Sequence, residues 1–233
     1  MTIHPQSLRI LSAGAALGVV NALAASFRDE TGCTLESTFG AVGAIAEKLH
    51  AGEAADLIIL TRPMIDKLAR EGRIRADSVA DIGAVPTGVA VRDADSSPDV
   101  SSAESLGAAL LAAEGIYFPD PLKATAGIHF SGVIDKLGIR ARVADRLRTW
   151  PNGATAMREL AQARGERLIG VTQVTEIKYT DGVRLVGLLP KAFELSTMYS
   201  IGAVTGAPIE AMRFVEKITD SESRDLRSRA GFI

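Results

Sequence analysis

Three loops of small residues, each between a predicted strand and a predicted helix, are the features of this sequence best suited to chemistry. They read Ser12-Ala-Gly-Ala-Ala-Leu-Gly, Phe39-Gly-Ala-Val-Gly-Ala and Lys123-Ala-Thr-Ala-Gly-Ile-His. The N–H groups at a helix N-terminus attract anions, and glycine lets a ligand approach the backbone closely. Each loop alone is also typical of an ordinary turn, but three in one chain predict a site for a small anionic ligand, with Ser12, Gly40 and Thr125 among its residues.

Several single side chains can add to such a site, and each has a purely structural alternative. Thr61-Arg62 ends a predicted strand, where an arginine can fork onto a carboxylate or simply be solvated at a helix start. His129 is either an acid–base group or a half-buried helix histidine. Tyr199 offers a ligand hydroxyl or packs at a chain crossing, and Asn152 can donate at another helix start.

Composition and missing motifs exclude several classes of protein. The net charge of -2 argues against nucleic-acid binding, and one cysteine with three scattered histidines predicts no metal site. The sequence lacks the GxGxxG, GxxxxGK[ST] and GxSxG patterns of dinucleotide-binding, phosphate-loop and hydrolase proteins.

Short apolar runs alternate with helical patterns along the chain, which predicts an α/β fold with a parallel sheet. The first third predicts strands at 8–13, 34–39 and 56–61, and helices at 16–30, 43–51 and 63–72. A second series follows the polar loop 93–102, with helices at 103–113, 126–137 and 153–164, and strands at 115–118, 167–172 and 183–187. Helices at about 208–218 and 221–230 finish the chain.

Two extended stretches, 82–91 and 198–204, bracket the second series and predict two lobes joined by two crossings. Lobe 1 is predicted at 1–83 plus 200–233, lobe 2 at 90–193, and the hinge crossings at 84–89 and 194–199. Ligands of open α/β sheets bind at the carboxyl ends of strands, so the ligand is expected in a cleft between the lobes. The alternative is one large α/β domain without a hinge.

The N-terminus lacks a basic stretch followed by an apolar one, so we expect no secretory signal in the chain as given. This predicts a cytoplasmic location, or a periplasmic one if an N-terminal signal has been removed. The absence of a run of about 18 apolar residues predicts no membrane span.

Several segments resemble the molybdate-binding branch of the type II periplasmic-binding-protein superfamily. They are Leu11-Ser-Ala-Gly-Ala-Ala, the run from Phe39 to Leu49, Ala54-Ala-Asp-Leu-Ile-Ile-Leu, Asp120-Pro through Gly127, Val183 to Pro190, and the terminal Arg229-Ala-Gly-Phe-Ile. The resemblance implies two α/β lobes with a hinge and a closing cleft, and solute binding for an ABC transporter.

The same resemblance implies positions for the ligand. The family places a serine in each of the first two loops and a tyrosine near the last strand of the second lobe. The matching residues here are Ala15 or Ala16, Val42 or Gly43, and Gln173; backbone donors match at Ala126 and Gly153. Three hydroxyls are thus missing, which argues against molybdate or tungstate, because unmet hydrogen bonds of a desolvated oxyanion are costly.

Three pieces are similar to proteins related to bacterial aconitate isomerase: Gly40-Ala-Val-Gly-Ala, Leu60-Thr-Arg-Pro and Lys123-Ala-Thr-Ala-Gly-Ile-His-Phe. That similarity implies an isomerase that shifts a proton and a double bond in a small unsaturated polycarboxylate. Amides at Ala15, Gly43 and Ala126, with Arg62, would hold the carboxylates. His129, or else Tyr199, would carry the proton, without metal or organic cofactor.

The alternative function is a non-catalytic binding protein for a small anion or organic acid. Such a protein needs the same cleft but no proton shuttle. It would partner an ABC permease, or act as a sensor.

Overall fold

The computed structural model of the chain describes residues 7–233. Its contacts divide the chain into unit 1, which comprises the chain up to Ala84 and Thr197–Ile233, and unit 2, which comprises Val85–Ser196. The chain passes between the units after Ala84 and again after Ser196. A hinge at these passages and a ligand cleft stay predictions.

Unit 1 is a four-stranded sheet with helices. Its elements are β1 (Ser7–Ala13), α1 (Leu17–Thr31), β2 (Thr34–Gly40), α2 (Val42–His50), β3 (Leu57–Thr61), α3 (Arg62–Arg70), β9 (Ser196–Ala203), α9 (Ile209–Thr219) and α10 (Arg224–Ala230). The strand order is β2-β1-β3-β9, with β1 parallel to β2 and β3, and β9 antiparallel to β3. Residues 57–60 of β3 are fully buried, as expected for a central strand covered on both faces.

Unit 2 holds the remaining elements. They are β4 (Ala80–Arg92), which starts in unit 1, then α4 (Ala103–Ala112), β5 (Gly115–Pro119), α5 (Thr125–Lys136), α6 (Arg140–Val143), β6 (Leu147–Trp150), α7 (Gly153–Gln162), β7 (Leu168–Gln173), α8 (Val174–Tyr179) and β8 (Val183–Leu188). β4 lies between β8 and β7 and is antiparallel to both, and β5 lies between β7 and β6 and is parallel to both.

Side chains alternate between two cores on the two faces of the unit 2 sheet. Val89 and Val171 pack with α4 and α5 residues such as Leu110 and Phe130 on the face that we call the α5 face. Ala90 packs with residues of α7 and α8, among them Met157, on the opposite α7 face. Neighbouring residues of one strand therefore serve different helices.

The described C-terminus closes unit 1 onto the start of β4. The Ile233 N–H donates to the Ala84 carbonyl over 2.9 Å, and the Ala84 N–H donates to the Ile233 carbonyl over 3.1 Å. Phe232 is buried beside Gly83, where an added Cβ would lie 3.2 Å from the Phe232 Cβ. The backbone of Ile233 thus pairs with Ala84, the final residue of unit 1 before the first passage, and Phe232 packs beside it.

The sequence predictions of the longer elements are confirmed within one or two residues at most ends. The sequence patterns do not predict α6, β6 or α8. β6 has four residues, Leu-Arg-Thr-Trp, of which two are exposed, so no apolar period marks it. α8 begins directly after β7 with Val174-Thr-Glu-Ile, whose β-branched residues resemble a continuing strand.

Residues 1–6, on which the expectation about a secretory signal partly depends, lie outside the described residues. Among the helices of residues 7–233, none combines the length and apolar composition that crossing a bilayer requires.

Candidate functional site

The predicted ligand residues of unit 1 meet at one edge of its sheet. β1 and β2 run in register from Ser7 with Thr34 to Ala13 with Gly40. Ser12 is also the partner of Ile59, two residues before Thr61. Because the strands are parallel, their carboxyl ends and the helix starts that follow lie together. Those helix starts carry Ala15, Ala16, Val42, Gly43 and Arg62.

The helix starts at this edge have no side-chain caps. A 3₁₀ turn, Gly14–Ala16, leads into α1, and Ala41 precedes α2; within the described residues no side chain accepts a hydrogen bond from either first turn. The first amides of a helix have no acceptor inside it, so they attract an anion. The buried Ser12 hydroxyl instead donates to the Ala13 carbonyl over 2.9 Å.

Arg62 is at this edge, but it is already paired with two carboxylates. Its Nε donates to Asp66 and its Nη1 to Asp81, both over 2.8 Å. Asp81 also accepts the Ser200 hydroxyl over 2.6 Å. Burial opposes ionisation of Asp81, but hydrogen bonds from Ser200 and Arg62 hold its carboxyl pKa below the usual value. The side chain of Arg62 is half-exposed. It binds carboxylates, but those of Asp66 and Asp81 inside the protein, and it also stays partly solvated at the start of α3.

Tyr199 lies on β9, directly opposite Thr61 of β3. Its side chain is buried, so the tyrosine belongs to the packed part of unit 1 next to the end of β3. A role in proton transfer stays a prediction.

Unit 2 presents a second edge, where β5, β6 and β7 end. Pro119 pairs with Trp150, and Tyr117 pairs with Gly170 three residues before Gln173. The helices that follow carry the remaining predicted positions, Thr125 and Ala126 on α5, and Asn152 and Gly153 next to α7. These residues therefore lie next to strand ends, and their role in binding a ligand stays a prediction.

The start of α5 is tightly packed and uncapped. An added Cβ on Gly127 would lie 2.3 Å from the carbonyl oxygens of Pro119 and Asp120, so only glycine fits there. Ala124 precedes the helix, and no side chain among residues 7–233 caps the first turn. The amides of Thr125 and Ala126 are thus suited to an external anion.

The start of α7, by contrast, is capped from within the protein. The Asn152 side chain accepts the Thr155 amide over 2.9 Å. The carboxylate of Glu176, on α8, accepts the amides of Gly153 and Ala154, and the Thr172 hydroxyl over 2.6 Å. Binding of an external anion by Asn152 or Gly153 would therefore compete with these internal acceptors.

Sequence reasoning missed Glu176, which is buried although it carries a carboxyl group. Burial raises the pKa of this carboxyl, against the hydrogen bonds from Thr172, Ala154, Gly153 and Gln173 that lower it. The available signal was an acidic residue in the otherwise uncharged run Val171-Thr-Gln-Val-Thr-Glu-Ile. Its role as a cap depends on a helix far away in sequence.

His129 lies in the second turn of α5, and its ring contacts the chain just before β9. The Nε2 atom lies 2.7 Å from the Phe193 carbonyl oxygen, so Nε2 carries the hydrogen and donates it. Nδ1 of the neutral ring is then the acceptor nitrogen.

Polar groups also lie away from these two edges. Within residues 7–233, no group of three or more His, Cys, Asp or Glu is placed to hold a metal ion. A groove of about 540 Å³ in unit 2 is lined by Arg92, Asp95 and Arg167, among others, and contains none of the predicted ligand residues. Its arginines are paired, Arg92 with Asp95 and Arg167 with Glu114.

Known proteins resemble this chain in sequence and in fold. Residues 8–233 match a family described as bacterial extracellular solute-binding protein. An aconitate isomerase of Pseudomonas sp is 28% identical over an alignment of 206 residues, and the alignment covers 83% of this chain and 74% of that protein.

Solved structures share the fold at low sequence identity. The periplasmic molybdate-binding protein of Azotobacter vinelandii has a TM-score of 0.78 at 15% identity, covering 97% of this chain and 98% of that one. A sulfate-binding protein of Mycobacterium tuberculosis has a TM-score of 0.72 at 16% identity, covering 97% and 86%. The chain therefore belongs to the bacterial extracellular solute-binding protein family, with the α/β fold seen in periplasmic molybdate- and sulfate-binding proteins.

Proposed function

We propose that this chain is an isomerase of a small unsaturated polycarboxylate, of the type that interconverts trans- and cis-aconitate. The observation that carries the proposal is its similarity to an aconitate isomerase over 83% of the chain. The uncapped helix starts of α1, α2 and α5 support it, because they offer several amides to carboxylates without a charged pocket.

The reaction is a proton shift with no net oxidation. A base removes one proton from the methylene carbon beside a carboxylate, the double bond moves by one position, and a proton is added at the former vinyl carbon. Charge develops on the carboxylate next to the reacting carbon. Amides already directed at that carboxylate stabilise the charge without reorganisation.

The proposed roles follow the positions in each unit. The amides at Ala15, Gly43 and Ala126 bind carboxylates, and Arg62 contributes the N–H donors that Asp66 and Asp81 do not take. His129 removes the proton through Nδ1, whose lone pair stays available while the Nε2–H donates to the Phe193 carbonyl.

An ultraviolet assay of trans-aconitate conversion to cis-aconitate tests the function. His129→Ala should lower turnover by about 100-fold or more, the usual size of a general acid–base contribution. His50→Ala is the matched control, since His50 also contacts a backbone carbonyl, that of Ala46 over 2.6 Å, and belongs to none of the proposed sites. Unchanged turnover in His129→Ala would move the acid–base role to another residue, with Tyr199 next.

The second candidate is a non-catalytic binding protein that delivers an anion or organic acid to an ABC permease. Family membership favours it, as does the fold shared with molybdate- and sulfate-binding proteins. Thermal stabilisation of the chain by molybdate, sulfate or trans-aconitate, without turnover of trans-aconitate, would establish this function and exclude the isomerase.

A further inference from the structure

The hydroxyl of Thr87 is a buried polar group without a use inside the protein. Only 1% of the residue is exposed, and its Oγ1 has no hydrogen-bond partner among residues 7–233. Its backbone is fully used, since the Thr87 N–H donates to Leu195 over 2.9 Å and its carbonyl accepts the Leu189 N–H over 3.1 Å. An unpaired buried hydroxyl destabilises the free protein, so its presence calls for a partner.

Strand alternation places this hydroxyl on the α5 face. Thr87 lies two residues before Val89, which packs with α4 and α5 residues. Gly88 between them faces the other side, where an added Cβ would meet Val174 and Leu185. The side chain of Thr87 therefore shares its face of the sheet with the start of α5.

The same hydroxyl lies at the edge of the unit 2 sheet where β5, β6 and β7 end. Thr87 pairs directly with Gln173, the last residue of β7 and a predicted ligand position. β5, which leads into α5, is the next strand beyond β7. Two strand spacings, about 10 Å, separate β4 from β5, so donors at Thr87 and at the α5 start suit a ligand with well-separated carboxylates.

We propose that the Thr87 hydroxyl donates a hydrogen bond to a carboxylate of the bound polycarboxylate, opposite the carboxylate held by the α5 amides. This inference rests on the proposed function and adds a specificity-determining contact to it. A tetrahedral oxyanion held at the α5 start alone would not need Thr87. The hydroxyl therefore favours an extended polycarboxylate over a compact oxyanion.

Thr87→Val and Thr87→Ser test the proposal, because valine keeps the shape without the hydroxyl and serine keeps the hydroxyl. Without ligand, Thr87→Val should melt at the same temperature as the wild type or higher, since an unpaired hydroxyl has been removed. With trans-aconitate, its dissociation constant or KM should rise about 10- to 100-fold, the value of a hydrogen bond to a charged group. Thr87→Ser should stay near the wild-type affinity.

A purely structural role predicts the opposite pair of results, a lower melting temperature with unchanged affinity for trans-aconitate. That result would overturn the proposal. If the wild type binds trans-aconitate without turnover and Thr87→Val loses that binding, the contact stands and the isomerase fails. If the wild type binds molybdate but not trans-aconitate, or binds neither, both the polycarboxylate contact and the proposed function are overturned.

Discussion

The starts of α5 and α7 in unit 2 are built on the same local plan but are completed differently. α5 follows β5 and α7 follows β6, and these two parallel strands are paired from Ile116 with Leu147 to Pro119 with Trp150. Each helix needs a glycine in its first turn. At α7 the Asn152 side chain and the Glu176 carboxylate accept the first amides, whereas at α5 no side chain among residues 7–233 does so.

The difference shows that a helix start of small residues is not by itself a ligand site. The two helix starts lie on opposite faces of β7. Thr172 faces Glu176 and α7, whereas the next residue, Gln173, faces the α5 side. The capped start stabilises the fold of unit 2, and the uncapped start leaves amides for an external anion. Changing one helix start, with the other as reference, tests this difference.

Glycine replacement should have the largest effect. Gly153→Ala would place a Cβ 1.9 Å from a Glu176 carboxylate oxygen, and Gly127→Ala would place one 2.3 Å from two backbone carbonyls. Each should lower the free energy of unfolding by about 3 kcal/mol, as severe overpacking does. Urea denaturation measures the change. Gly132→Ala, in open space within α5, is the control and should stabilise by about 0.5–1 kcal/mol.

A second variant separates the two glycines. The Gly153 contact is with side chains, so Glu176→Ala should relieve part of the damage of Gly153→Ala, giving a coupling energy of about 1 kcal/mol or more. Gly127→Ala meets backbone atoms and should combine additively with Glu176→Ala. Additive behaviour of both pairs would contradict the packing described for α7.

The carboxyl group of Glu176 at the start of α7 should make the free energy of unfolding depend on pH. The start of α5 has no such titrating group among residues 7–233. Its folded-state pKa is raised above the ordinary value of 4.5, chiefly by burial, so the folded chain holds this proton more tightly than the unfolded chain. Stability from this group is therefore full below 4.5 and falls as pH rises towards the raised pKa, by at most about 1.4 kcal/mol per pH unit.

Glu176→Gln removes the titrating group and should flatten this part of the pH profile. The four donors around the carboxylate, Thr172, Gly153, Ala154 and Gln173, carry no charge of their own, so the difference between the two proteins isolates Glu176. The measurement is urea denaturation of both proteins from pH 4 to 8. Parallel profiles would show that Glu176 titrates as it does in the unfolded chain.

The smallest change gives α5 a cap of its own. Ala124 has the extended backbone of an N-cap residue, with φ of -99° and ψ of 129°. Ala124→Ser should raise stability by about 1 kcal/mol, because its hydroxyl accepts a free amide. It should also weaken anion binding, since the hydroxyl competes with the ligand for the same amides.

Ser102→Ala at the start of α4 is the control, because it removes a cap where Ala124→Ser adds one. Ser102 accepts the Ser105 amide over 3.0 Å, so its loss should cost about 1 kcal/mol and leave anion binding unchanged. Unaltered binding in Ala124→Ser would remove the α5 start from the proposed site. Thermal unfolding with and without trans-aconitate measures both quantities.

What the sequence predicts well is local. The strands of unit 1 and the small-residue helix starts are recognisable because apolar periods and glycines lie next to each other in the chain. The roles of Glu176 and Thr87 depend instead on which strands become neighbours, since Glu176 reaches the start of α7 and Thr87 pairs with Gln173. The periodicity of apolar residues does not predict which strands become neighbours. The pairing of Arg62 with Asp81, 19 residues away in sequence, cannot be predicted from periodicity either.

The backbone pairing of Ala84 with Ile233 also affects how the protein folds during its synthesis. Unit 2 is continuous, whereas unit 1 needs residues from both sides of it. Domains fold as units while the ribosome is still adding residues. Unit 2 can therefore complete its sheet before β9 has been synthesised. The edge of β3 then lacks its partner β9, and the backbone of Ala84 lacks its partner Ile233, until these residues have been synthesised. A chaperone that protects nascent strands would therefore act on unit 1.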